Sequence, residues 1–153
     1  IMNGIFSFYY HYNLTWFGRH LDEVTMILAN YFGICGLSEI YINKSYQNNI
    51  NKINTIVMAL FISVNTIPQL DYLFPTFFGF YISYTVYFII DVARLYNYSK
   101  TVYSYLMYSL LGALYWIISE LYCNEYTKYG HVIWHIFFPI GFYQILKLYD
   151  TFI

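Results

Sequence analysis

Residues 131–135 read His-Val-Ile-Trp-His. On a helix, i, i+4 spacing puts both imidazoles on one face, about 6 Å apart along the axis. Two histidines that share one metal ion are spaced in this way. Taken alone, the pair fits equally well as interfacial histidines bonded to backbone or headgroups. A second pair repeats the spacing: residues 7–11 read Ser-Phe-Tyr-Tyr-His, so Ser7 and His11 also share a helix face. Asp22 and Glu23 follow at the start of the next helical pattern. Three neutral imidazoles, His11, His131 and His135, make a zinc site with three protein ligands and one open position. Zinc held so lowers the pKa of a water from 15.7 to about 7 and polarises a carbonyl. Asp22 then suits the role of general base, or it orients one histidine through that ring's other N–H. Ser7 could donate to the oxyanion of a tetrahedral intermediate, or bond back to its own i−4 carbonyl. The chemistry that fits this set is metal-assisted hydrolysis of an amide or ester on a membrane-embedded lipid.

The elements that must position these groups follow from composition. The 153 residues are 59% hydrophobic, 25% aromatic and only 10% charged, where an ordinary soluble domain carries about 25% charged residues. A net charge of −1 with no basic run argues against a nucleic-acid surface. Two cysteines, Cys35 and Cys123, make neither a disulfide framework nor a thiolate metal site. Residues 72–90, 101–119 and 129–146 are runs of 19, 19 and 18 residues without Asp, Glu, Lys or Arg. Residues 53–69 and 24–38 add runs of 17 and 15. A helix needs about 20 mostly apolar residues to cross the hydrocarbon of a bilayer. The expected fold is therefore all-α: a polytopic transmembrane helix bundle with five full crossings. Residues 1–12 add a truncated N-terminal helix, because 12 residues reach only about 18 Å. One transmembrane domain, N-terminally incomplete, accounts for residues 1–153.

The expected connections are residues 13–19, 43–52, 68–71, 91–100 and 123–128. Alternate connections lie on opposite sides of a membrane. One side collects Lys44, Lys52, Arg94, Lys100 and Lys147, and the other only Arg19 and Lys128. The positive-inside rule puts the first side and the C-terminus in the cytoplasm. Counting crossings brings Ser7, His11, Asp22, His131 and His135 to one side and one depth. Polar groups inside a membrane are costly and functional by default, and convergence from three helices is harder to obtain by chance than any single pair.

At these positions the chain resembles a known family. Ser7-xxx-His11, Leu21-Asp22-Glu23-xx-Met26 and His131-xx-Trp134-His135 are similar to the motifs of the alkaline ceramidases. These are seven-helix intramembrane zinc amidases, in a superfamily that also holds the progestin and adipoQ receptors. The resemblance runs from Gly4 to the end of the last helix. It implies His11, His131 and His135 as Zn2+ ligands, Ser7 and Asp22 at the catalytic water, and ceramide as substrate. It also implies an integral membrane protein of the endoplasmic reticulum or Golgi. Relatives often have Pro where this chain has Thr25. The family's first helix and its acidic calcium-binding segment have no counterpart here, so no calcium site is carried over.

Other residues carry weaker signals. His20 reads as an interfacial histidine, and Glu23 as an outer partner of the site or a first-turn carboxylate favoured by the helix dipole. Glu120 reads as a residue that snorkels to water, Cys35 as a buried inert thiol, and Trp134 as an interfacial anchor or a wall of the metal pocket. Pro139, one turn past His135, is placed where a bend would tilt the ligands. Three function classes compete. One is a zinc-dependent ceramidase releasing a sphingoid base and a fatty acid. Another is a receptor-like lipid sensor or inactive remnant with the same metal site, and the third a metal-free helical scaffold. The expected partners are ceramide and the bilayer, with no nucleic acid and no obligate protein partner.

Overall fold

Helices run past most ends of the apolar windows, so the connections expected at 13–19, 43–52 and 91–100 are shorter than hydropathy implies. The computed structural model describes residues 2–41, 43–122, 124–127 and 129–152, without the side chains of Met2, Asn3, Glu120, His131 and Phe152. The readings made for Glu120, Cys123 and Lys128 fall outside this description. Among the described residues there are six α-helices and no strand: α1 (Met2–Asn13), α2 (Trp16–Glu39), α3 (Lys44–Asn65), α4 (Phe74–Leu95), α5 (Ser99–Leu121) and α6 (Gly130–Tyr149). A 3-10 segment, Pro68–Leu73, leads into α4. Among the described residues, three stretches are long and apolar enough to cross a membrane: Pro68–Leu95, Ser99–Ser119 and Val132–Tyr149. The helices α2 and α3 match these in length, but α2 carries Arg19, Asp22, Glu23 and Glu39, and α3 opens on Lys-Ser-Tyr-Gln-Asn-Asn.

The expected connection 43–52 shows why the windows fall short. Asn43 caps α3, its side chain accepting from the Tyr46 N–H at 3.1 Å. Such a cap satisfies one of the four N–H groups that a helix start leaves without partners. One turn on, the buried Gln47 amide donates to the carbonyls of Glu39 and Tyr41 at the other end of the turn. Polar residues that a window scores against a helix here hold its first turns in place.

The chain falls into two compact units, residues 1–88 and 89–153. In the first, α1 turns back onto α2 through Leu14, which takes a left-handed φ of 50°. Thr15 caps α2 by accepting from the Gly18 N–H at 3.1 Å. A Cβ on Gly18 would stand 3.1 Å from the Tyr10 Cα, so the absence of a side chain there lets α1 lie directly on α2. The helices α2, α3 and α4 are joined by a buried polar network. The Tyr81 hydroxyl donates to Asn54 Oδ1 at 2.6 Å, and the Asn54 amide donates to the Tyr31 carbonyl at 3.0 Å. The Asn30 amide donates to the Tyr81 carbonyl at 3.2 Å, and Thr85 returns a bond to Asn30 Oδ1 at 2.7 Å. Polar side chains bonded across helices hold a bundle together where burial of apolar surface supplies little drive.

In the second unit α5 and α6 form an antiparallel pair packed backbone to backbone. A Cβ on Gly112 would lie 3.0 Å from the Phe138 nitrogen, and one on Gly141 would lie 2.5 Å from the Tyr105 carbonyl oxygen. The Ser109 hydroxyl donates to the Phe138 carbonyl at 3.0 Å. The far end of α6 is tied by the buried Tyr149 hydroxyl, which donates to the Ile89 carbonyl at 2.6 Å.

Candidate metal centre

Ser7 and His11 sit on the last two turns of α1, and Asp22 on the second turn of α2, ahead of its apolar run 24–38. The close packing of α1 on α2 brings them together. A ring nitrogen of His11 and a carboxylate oxygen of Asp22 lie within 4.8 Å of each other. Asp22 is only 5% exposed. The Ser7 hydroxyl, itself buried, hydrogen-bonds the Asp22 carboxylate. Asp22 Oδ1, by contrast, has no partner, the one buried side-chain polar atom among the described residues for which this is so. Burial pushes the Asp22 carboxyl up to about 6, helped by the nearby Glu23 charge and opposed by the Ser7 hydrogen bond. Behind it, Thr25 donates to the Asp22 carbonyl at 2.8 Å. The Thr25 hydroxyl thus adds a bond to the turn that carries the carboxylate.

The neighbouring charges are engaged elsewhere. Arg19 Nε lies 2.8 Å from Glu23 Oε1, and the Arg19 guanidinium reaches Asp71 at 3.9 Å. Glu23 also hydrogen-bonds Asn65. Burial pushes its carboxyl up, against the pull of Arg19. Trp16 Nε1 donates to Asp71 at 3.1 Å, stitching the start of α2 to the segment before α4. His20 stacks on Trp16 and meets Asn65 at 3.3 Å, so protein groups occupy it where headgroups were expected. This brace was legible in part, because Arg19 and Glu23 are i, i+4. The contributions of Asp71 and Asn65, more than 40 residues away, were not.

In the second unit α6 presents His135, half buried, one residue after Trp134. Trp134 is 5% exposed, and its ring centroid lies 5.4 Å from that of Trp116 on α5 and 3.8 Å from that of Phe138. It is a packing residue beside the histidine, not a surface anchor. The backbone of His131 opens the same helix, and its side chain lies outside the described residues.

His11 and Asp22 in the first unit, and His135 on α6 in the second, are each of a type that holds metal ions. The donors are chemically apt, since imidazole nitrogen with carboxylate oxygen suits zinc and its first-row neighbours. The bare Oδ1 is the local sign of such a group. A buried carboxylate oxygen without a partner costs free energy that a cation, or the water beside it, offsets.

Against this geometry the comparisons are specific. A family model described as Ceramidase matches residues 1–152, nearly the full chain. No curated protein and no solved structure matches. The all-helical fold and the apolar spans agree with that match, and the chain belongs to the Ceramidase family.

Proposed function

We propose that this chain is a zinc-dependent intramembrane amidase that hydrolyses ceramide to a sphingoid base and a fatty acid. Membership of the family implies hydrolysis of an amide in a membrane lipid. The observation that carries the finer reading is Asp22: a buried carboxylate, one oxygen held by Ser7 and the other without a partner, beside the His11 ring. His11 and His135 would hold the ion, joined by His131 from the preceding turn of α6. Bound there, zinc would polarise the amide carbonyl and lower the pKa of a water to about 7.

The other parts of the mechanism belong to the chain. Asp22 Oδ1 accepts the proton of the attacking water as general base. Burial raises its carboxyl above the usual carboxylate range, which makes it the stronger base. The same group then returns the proton to the departing amine nitrogen. Ser7 holds the second oxygen of Asp22 and so keeps Oδ1 turned towards the reacting atoms. A rotation of the Ser7 hydroxyl would let it donate instead to the carbonyl oxygen as charge develops there.

The test is metal content and turnover measured together. Purified protein should hold one zinc per chain. His11→Ala and His135→Ala should lose the metal and turnover. Asp22→Asn should keep its helices and lose turnover by about 10²–10⁴-fold, the range of a general base. Full turnover in Asp22→Asn would refute its role as general base, zinc-loaded wild type without turnover would favour a lipid sensor, and metal-free wild type would favour a scaffold.

A further inference from the structure

The segment 130–141 of α6 is clamped to α5 at three levels. At the first, a Cβ on Gly130 would collide with the Tyr115 carbonyl and stand 2.7 Å from Ser119 Cβ. At the second, Trp134 packs on Trp116. At the third, Gly112 lies under Phe137 and Phe138, and Ser109 under Gly141. Gly130, Trp134, Phe138 and Gly141 therefore form the face of α6 towards α5, and His135 is about 100° round the helix from Trp134.

Within this clamp stands Pro139, interior to the helix and exposed. A regular ladder would have residue 139 donate its N–H to the His135 carbonyl. Proline has no N–H, and its ring crowds that same carbonyl. An interior proline is the least favourable residue a helix can carry, and an exposed one repays nothing through packing. The interruption falls one turn beyond a candidate ligand, between two separately anchored halves. Gly130 and Trp134 fasten the turn that carries the histidines, while Gly141 and the Tyr149–Ile89 hydrogen bond fasten the rest. At the junction the Ser109 hydroxyl holds the Phe138 carbonyl.

We propose that Pro139, braced by Ser109, is a positioning residue for His135: the interrupted ladder sets the tilt of the turn that aims the imidazole at the metal. This rests on the metal reading above. A residue kept for positioning at the expense of the helix separates function from stability. The experiment is Pro139→Ala and Ser109→Ala in the full chain in detergent. Thermal unfolding is read by circular dichroism, and affinity for Zn2+ by competition with a chelating dye. Pro139→Ala should melt at a higher temperature than wild type, yet bind zinc at least about tenfold more weakly, the lower bound seen when the support of a ligand is removed. Its kcat should fall with KM unchanged. A Pro139→Ala protein that binds zinc as wild type does overturns the inference and leaves the hydrolase reading intact. Wild type that takes up no zinc overturns both. Should Pro139→Ala fail to fold, Ser109→Ala decides: zinc affinity weakened more than twofold supports the proposal, and affinity within twofold of wild type overturns it.

Discussion

Asp22→Asn offers the sharpest test of the buried carboxylate, because its effect on stability has a size that depends on both pH and metal. Asp22 is 5% exposed, and its carboxyl is raised from 3.8 to about 6, chiefly by burial. That displacement is worth about 3 kcal/mol at most between the two protonation states. Because the folded-state value is the higher one, the folded protein binds the proton more tightly than the unfolded chain does. The associated stability is complete below about pH 4 and is lost as pH rises through about 6. Asparagine keeps an acceptor for Ser7 and carries no charge. In metal-free protein at pH 8, Asp22→Asn should therefore be more stable than wild type, by up to about 3 kcal/mol, or on the order of 6–12 °C in Tm for a chain of this size. At pH 4, where the wild-type carboxyl is protonated, the gap should nearly close. Added zinc, held by the histidines, should stabilise both proteins, by about 2.7 kcal/mol at 100 times its Kd, and should narrow the gap between them, because the cation compensates the carboxylate that only wild type carries. The assay is thermal unfolding in detergent with chelator or with zinc, at both pH values. Equal melting of the two proteins at pH 8 in chelator would refute the claim that this carboxylate is buried without compensation.

Two further expectations concern the helix pairs that position the site. Gly141→Ala drives a methyl into Ser109 and to 2.5 Å from the Tyr105 carbonyl, whereas Gly79→Ala meets nothing within 4 Å. The first should cost about 1–3 kcal/mol by overpacking and the second should be neutral or mildly stabilising, as thermal unfolding will show. In the first unit, Asn54→Ala leaves the buried Tyr81 hydroxyl without its acceptor and removes the cross-helix donor to the Tyr31 carbonyl. It should cost about 2 kcal/mol or more, and adding Tyr81→Phe should cost little extra in a double-mutant cycle. Additive losses would show that the two residues act apart.

Much of this molecule is legible in short stretches of chain. Helical periodicity and hydropathy are local properties, so runs such as 101–119 declare α5 almost to its ends. The i, i+4 pairs Ser7–His11 and His131–His135 declare a shared face without any knowledge of neighbours. The ends of helices were harder. Residues 43–52 look like a polar loop, yet they are helical because Asn43 and Gln47 satisfy backbone groups that a window cannot see.

What the order of residues determined alone, then, is the class of fold and the family to which the chain belongs. Only the tertiary structure decided which oxygen of Asp22 is held and which is bare, that Ser7 serves the carboxylate, and that His20 is occupied by Trp16 and Asn65. It also joined Asn30, Asn54, Tyr81 and Thr85, residues as many as 55 positions apart, into one network. The physical reason is common to all of these. Whether a polar atom is paired, buried or charged depends on groups brought near it by the packing of other helices, and no spacing along the chain encodes that distance.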